Sequence, residues 1–416
     1  MPAGSVAIRS TLRSYVELPA AVQILCLGSF INRAGSFAMV FLTIYVSERL
    51  GFGVTFAANC FGVYGLGSVV SSLIGGQLAD RFGRKPIMLL ALFGGSATLC
   101  LMPLVQDKWT FLSAVLVFSL AAEMYRPAAS AMVGDLVGTI QRPLAFSLMY
   151  IAYNLGFAVA APIGGYLAEY SFQWLFWGDA LTTSAYGLII VFSIRETLPV
   201  VNDVNEVGAV LEKDSLRKAV RHIRGDTAFL LFCLAASLTT LVFMQAFSTL
   251  PIYMNQIGIS KQQVGLLLSA NGILIVLLQL PVTHVLNRYR RLLVIVVGEC
   301  FIATGFGLTT FAVTVPLLLI TIIIWTTGEV IQAAFKQSVV ADMAPVALRA
   351  RYMGVFSLSH ALGLAIGAPL GGQILERCGP TVLWPICFVI VMIAAAVYGL
   401  VYRQIQSGEF CSVDKA

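Results

Sequence analysis

Eight stretches of this chain contain no Asp, Glu, Lys or Arg: 50–79, 86–106, 143–168, 227–260, 262–287, 300–328, 352–375 and 378–402. Each exceeds the roughly 18 apolar residues that mark a membrane-crossing helix. Four further spans carry isolated charges, about 20–47 around Arg33, 109–133 around Glu123 and Arg126, 173–194 around Asp179, and 315–341 around Glu329 and Lys336. A turn near Pro316 separates the last of these from the helix before it, so the expected total is twelve. With 58% hydrophobic and 11% charged residues and a mean hydropathy of +0.88, a chain of 416 residues is excluded as a set of soluble domains. The fold class is an all-α membrane protein.

Lys and Arg concentrate on the cytoplasmic side of membrane spans. With the N-terminus inside, the outer loops hold only Arg49, Lys108, Lys261 and Arg377, and Arg33, Arg126 and Lys336 lie within spans. The rest of the 26 basic residues fall inside, which predicts that both termini are cytoplasmic. The net charge of +6 reflects this asymmetry and calls for no nucleic-acid partner. The first twenty residues lack a short apolar core followed by a small-residue cleavage site, so the first helix is expected to stay as an anchor. The eight cysteines stand singly, without C-x-x-C spacing, and read as small core residues. No metal site is expected.

The sequence also repeats. A shift of 207 residues lays 133–169 over 340–376 without a gap, placing Asp135 on Asp342, Arg142 on Arg349, Gly156 on Gly363, Pro162 on Pro369 and Glu169 on Glu376. The same shift places Arg84 on Arg291. Six is an even number of spans, so the two copies are parallel, a design that puts a substrate site near the midplane and alternates access by rocking. The expected organisation is a six-helix bundle at 1–194, a polar linker at 195–226, and a second bundle with a short tail at 227–416. In the linker, Leu211, Leu216, Val220 and Ile223 recur at helical spacing against Lys213, Arg217, Lys218, Arg221 and Arg224. Such a helix is either a solvated connector or one that lies on anionic lipid headgroups.

Residues 75–87, GGQLADRFGRKPI, closely resemble the loop between the second and third helices of the major facilitator superfamily. The match covers Gly76, Asp80, Arg81, Gly83, Arg84 and Lys85. The resemblance implies the major facilitator fold, a monomer, and a cytoplasmic latch between halves that stabilises the outward-open state. Physically, Asp80 can cap the neighbouring helix end while Arg81, Arg84 and Lys85 face the anionic leaflet, and Gly83 permits the tight turn. Residues 328–354 and the AIGAPLGGQIL after them look like the corresponding region of proton-coupled multidrug efflux proteins. APIGG at 161–165 is similar to the antiporter motif of the fifth helix, with Ala161 where that motif has Gly. Gly156, Pro162, Gly164 and Gly165 carry this likeness, and tight helix packing explains the same glycines equally well.

Ionisable groups at membrane depth are costly unless paired or hydrated, so each is a functional candidate. Glu123 and Arg126, three apart on one helix, can pair directly. Glu329 and Lys336, seven apart, lie about 10 Å from each other along the axis. Glu329 is therefore the expected proton carrier and Glu123 the permanent pair. Arg33 either binds an anionic substrate group or neutralises Glu299 or another acid. Asp179 lies toward the outer end of the sixth span, where water can reach it. Tyr64, Tyr125, Tyr150, Tyr153, Asn154, Gln245, Asn271, Gln279 and Gln332 are expected to line a cavity suited to amphipathic molecules.

The leading expectation is proton-coupled efflux of amphipathic small molecules, in a multi-pass protein of the cell (inner or plasma) membrane. It has protons and membrane lipids as partners and the proton gradient as energy source, with no cofactor. An uptake or facilitative permease for a small, possibly anionic, metabolite is the alternative, and a non-transporting receptor a remote one. With no G-x-x-x-x-G-K-[ST] loop, no G-x-S-x-G elbow and no His/Cys cluster, an enzyme is not expected.

Overall fold

In the computed structural model, residues 18–138, 141–197, 221–345 and 348–406 are described. Among them, twelve helices are long and apolar enough to cross a bilayer: α1 (Ala20–Arg49), α2 (Val54–Phe82), α3 (Arg84–Leu104), α4 (Lys108–Leu136), α5 (Ala145–Tyr170), α6 (Phe172–Ser193), α7 (Thr227–Gln256), α8 (Lys261–Gln279), α9 (Arg291–Phe311), α10 (Val315–Met343), α11 (Tyr352–Cys378) and α12 (Pro380–Gln406). A helix satisfies its own backbone groups in hydrocarbon, which is why these apolar runs take this form. Exposed apolar side chains such as Leu73, Leu181, Phe192 and Phe311 fit the same solvent. Most of the basic linker helix expected at 211–223 lies outside the described residues; Ile223 is buried in a core with Phe229 and Tyr352.

Three helices are broken. α1 stops at Ala34 and restarts at Phe37. α4 stops at Ala122 and restarts at Tyr125, because Pro127 has no N–H to donate to the Glu123 carbonyl. α7 stops at Phe243 and restarts at Thr249, ahead of Pro251. These breaks set charged and polar side chains at membrane depth.

The chain packs as two compact units. One takes the residues up to Phe52 with Val63–Val200 and Ser260–Val276; the other takes Gly53–Gly62, Val201–Ile259 and everything from Leu277 on. In the first, Met88, Met132, Tyr186 and Ile190 share one core; in the second, Phe232, Ile295, Phe335 and Tyr398 share another.

Repeat-related residues recur in equivalent contacts. Arg84 pairs with Asp135 at 3.1 Å in the first unit, and Arg291 pairs with Asp342 in the second. Glu169, at the end of α5, accepts hydrogen bonds from the Lys261 and Gln262 amides at 2.8 and 3.4 Å, capping α8. Its counterpart Glu376, at the end of α11, accepts from the Thr55 amide at 2.8 Å, capping α2. A carboxylate at a helix start meets both unpaired N–H groups and the positive end of the dipole.

The 75–87 loop differs from the expectation in two respects. Arg84 and Lys85 turn inward instead of toward lipid headgroups. The Arg84 side chain, 11% exposed, pairs with Asp80 at 3.1 Å as well as with Asp135, while Asp80 itself is 70% exposed and caps no neighbouring helix. Lys85 Nζ donates to the Val191 and Ile194 carbonyls at 2.8 and 2.7 Å, closing the end of α6. The reason is local. Gly83, at φ 106°, provides no side chain to cap α3, so Glu196 does so by accepting from the Arg84 and Lys85 amides at 3.0 Å each. Arg81 remains exposed.

Asp107 caps α4 from its own chain, accepting from the Thr110 amide and hydroxyl at 2.9 Å each. Those hydrogen bonds, the amide foremost, hold its carboxyl below the usual carboxylate range. A lowered folded-state value stabilises the fold above the unfolded value of about 3.9 and is lost as pH falls through the folded one. Asp107→Ala is therefore expected to melt below the wild type at neutral pH, with the gap closing below about pH 4. A gap that does not narrow as the pH falls in a thermal-melt series would contradict this.

Candidate functional site

The breaks in α1 and α4 open onto a cavity of about 410 Å³ inside the first unit. Its wall includes Asn32, Arg33, Tyr64, Glu123, Tyr125, Arg126, Tyr150, Tyr153 and Asp179, with Met39, Leu92, Phe118, Phe146 and Met149 between them. Glu123 is positioned by the α4 break. One of its oxygens accepts a hydrogen bond from the Tyr64 hydroxyl, and the other lies 3.4 Å from Arg126 Nε. Arg126 also donates to the Tyr153 hydroxyl at 2.8 Å, yet its side chain is 59% exposed, so the guanidinium remains open to the cavity.

Arg33 stacks on the aromatic ring of Tyr153, with Cζ 4.3 Å from the centroid, and lies 5.3 Å from that of Phe157. Its Nε is buried and has no hydrogen-bond partner among the described residues. Glu299, one of the acids it was expected to neutralise, is paired with Lys336 within the second unit. Tyr125 exchanges hydrogen bonds with Ser29 and with Tyr186, whose hydroxyl also reaches the Leu25 carbonyl at 3.3 Å.

Small residues allow this closeness. A Cβ on Gly156 would sit 2.8 Å from the Phe30 carbonyl and 2.9 Å from the Ala34 amide of α1. Gly164 faces the Phe41 ring, and Gly165 lies against the Lys261 carbonyl at the start of α8. Pro162 is within α5, next to Ala161, whose carbonyl crowds Gly265. In this structure the antiporter-like residues pack α5 on α1 and α8.

Asp179 differs from its sequence reading. It is 3% exposed, because Thr183 and the broken part of α1 cover it. Two of the amides expected in the cavity wall are interhelical instead. Asn154 is buried, with its amide on the Tyr150 carbonyl, and Gly272 of α8 packs on its backbone; Asn271 is buried beside that glycine.

In the second unit, Lys336 Nζ lies 2.8 Å from a Glu299 oxygen on α9, and Thr239 of α7 donates to the other oxygen at 2.9 Å. Glu299 is 0% exposed. Lys336 thus belongs with an acid on the adjacent helix, while Glu329, on α10 with Lys336, is half-buried. Gln332 is buried beside Gly298 of α9, and Gln279 bonds Thr283 at 3.1 Å. Gln245 fills the α7 break, donating to the Leu241 and Gly367 carbonyls at 2.9 and 2.7 Å.

The family model described as Major Facilitator Superfamily matches residues 25–260 and 246–407. The chain belongs to this superfamily. Similar relatives include an uncharacterized MFS-type transporter, YqjV, of Bacillus subtilis, 25% identical over 91% of this chain and 93% of its own. A Na(+), Li(+), K(+)/H(+) antiporter of Planococcus maritimus is 25% identical over 82% of this chain and 86% of its own. Multidrug resistance protein MdtH of Yersinia enterocolitica is 25% identical over 80% of each. Among solved structures, a POT family transporter in complex with 5-aminolevulinic acid superposes with a TM-score of 0.77 over 94% of this chain and 99% of its own, at 17% identity. The expected fold is borne out, with its twelve spans. The protein is a multi-pass transporter of the cell membrane and not an enzyme.

Proposed function

We propose that this superfamily member exports amphipathic or lipophilic small molecules in exchange for protons, by alternating access and as a monomer. The observation that carries the reading is the 410 Å³ cavity, which falls within the roughly 300–1,000 Å³ of small-molecule sites. Its wall is mostly aromatic and aliphatic, so an apolar body can lie against Tyr150, Phe146 and Met149 while a polar end meets the Glu123–Arg126 pair. The names of MdtH and of the cation/H(+) antiporter agree with this reading. The proton gradient is the energy source, and no cofactor is called for. Glu123 and Glu299 are engaged by Arg126 and Lys336, whereas Asp179 borders the cavity and makes no ion pair among the described residues, which directs attention to Asp179 for proton exchange. The Asp80 loop acts as the cytoplasmic latch.

The exposed Arg126 guanidinium and the unpartnered Nε of Arg33 favour a second reading, uptake of a small organic anion. Flux of a lipophilic cationic dye and of organic anions, measured in liposomes with an imposed pH gradient, separates the two. Under the first reading, dye flux follows the gradient. Glu123→Gln is expected to lower it severalfold, since the cavity wall then loses the carboxylate that meets the cationic end of the dye. Dye flux indifferent to the gradient would sink proton-coupled export, and anion uptake without a gradient would establish the second reading.

A further inference from the structure

Helix α1 is interrupted at membrane depth, and Asp179 of α6 bonds its outer segment directly and its inner segment through Thr183. Asp179 Oδ2 accepts a hydrogen bond from the Ala38 amide at 3.4 Å, near the start of the outer segment Phe37–Ile44. Its Oδ1 accepts from the Thr183 hydroxyl at 3.3 Å, and that oxygen accepts from Asn32 Nδ2, on the inner segment, at 2.9 Å. The two helices are pressed together here. A Cβ on Gly35, in the break, would sit 1.8 Å from Thr182 Oγ1, and Gly178 lies against the Phe37 ring.

The first N–H groups of a helix have no partner within it and carry a partial positive charge. A carboxylate that caps them holds the segment through charge-assisted hydrogen bonds, about twice as strong as neutral ones. Protonating the carboxylate removes that advantage and leaves the same side chain as a weak neutral acceptor. Asp179, although buried, is also part of the cavity wall, which gives a proton a route to it. Among the described residues it makes no ion pair. The charged group facing it from α1 is Arg33; α4 brings Glu123 and Arg126 to the same cavity, with Tyr125, and α5 brings Tyr150 and Tyr153. α3 meets α6 here through Ser96, which is uncharged.

We propose that Asp179 is the proton-exchanging carboxylate of this transporter: ionised, it clasps the outer segment of α1 to α6, and protonated, it releases that segment. This rests on the proton-exchange reading above and narrows it, giving Asp179 the role that linear spacing gives Glu329. Movement of the outer α1 segment shifts Ser36 and Met39 in the cavity wall, which ties proton occupancy to the shape of the substrate site.

The test uses the full-length protein in liposomes, with the lipophilic cationic dye as probe. Wild type, Asp179→Asn and Glu329→Gln are compared with and without a pH gradient, and hydrogen exchange of the amides at 37–44 is followed at pH 6 and pH 8 after correction for intrinsic rates. In the wild type, protection is expected to fall about tenfold at pH 6, as a charge-assisted hydrogen bond gives way to a neutral one. Asp179→Asn should show the low protection at both pH values. It should lose gradient-driven transport while still exchanging dye down the dye's own gradient, and Glu329→Gln should keep its gradient response. Gradient-driven transport surviving in Asp179→Asn, or protection independent of pH in the wild type, overturns the proposal. If Asp179→Asn does not fold, the wild-type protection decides. A wild type without any gradient response would instead defeat the proton-exchange reading, while pH-dependent protection would still establish the clasp.

Discussion

Replacing Lys336 by Met is expected to destabilise the protein by about 3–5 kcal/mol, the cost of leaving one member of a buried ion pair without its partner. Glu299 is 0% exposed, and besides pairing with Lys336 it accepts a hydrogen bond from the Thr239 hydroxyl. With the ammonium gone, the carboxylate would have to remain ionised in an apolar core or take up a proton. Either route weakens the fold. The Lys336 ammonium also lies 5.3 Å from the centroid of the Tyr398 ring, a second contact that Met cannot replace. The double variant Glu299→Gln, Lys336→Met is expected to recover most of the loss, because two neutral side chains of similar volume leave no buried charge behind. Unfolding in detergent, with both single variants and the double, closes the cycle. A loss below about 1 kcal/mol for Lys336→Met, the size of an exposed pair, would mean that water reaches Glu299 freely.

Gly156→Leu is expected to have the next largest effect, through backbone instead of charge. The atoms that a Cβ would meet are the Phe30 carbonyl, the Ala34 amide and Arg33 Cβ, all within 2.9 Å. A ring could turn aside, but two backbone atoms cannot, so α1 and α5 must separate. Overpacking of this kind costs about 1–3 kcal/mol. The separation also carries Arg33 away from Tyr153, so dye transport should fall even in the fraction that folds. Gly399→Leu on α12, where nothing lies within 4 Å of the added Cβ, is the control and should stay within about 0.5 kcal/mol of wild type. If both substitutions melt alike, close packing at Gly156 is not what the glycine provides.

Much of the architecture was legible because the bilayer imposes a coarse rule. A segment that excludes charge for twenty or more residues has few alternatives to a helix, so the spans could be placed before any packing was known. The shared 207-residue offset was equally informative: it aligned Arg84 with Arg291 and Asp135 with Asp342, and both pairs make the same contact. The cavity was legible only in part. Glu123 and Arg126 are neighbours on one helix, so linear spacing reveals them. Tyr64, 59 residues from Glu123, and Glu299, on a different helix from Lys336, meet their partners through tertiary packing that no spacing encodes. Lys336 was read against Glu329 because both lie on one helix. Asp179 was read as wetted because its distance from the end of the span was visible and the interruption of α1 opposite it was not. Pro127 and Pro251 lie beside two of the helix breaks, a signal that the count of charge-free spans does not use; Gly35 and Ser36 resemble many other small pairs in this chain. Glu196 had a subtler signal, since α3 starts after a glycine and must take its cap from elsewhere.

The two carboxylate caps, Glu169 on α8 and Glu376 on α2, also bear on the order in which the chain can be completed. The Arg84–Asp135 pair joins residues 51 apart, so it can close while the first copy is still being made. The Lys261 amide and Glu169 are separated by 92 residues, and the Thr55 amide waits for a partner 321 residues further on. The start of α2, among the first segments to enter the membrane, therefore stays without its carboxylate until α11 has been synthesised. Ribosome-stalled chains that end before Glu376 should leave that helix start open to water, and the end of α11 would be what seals it.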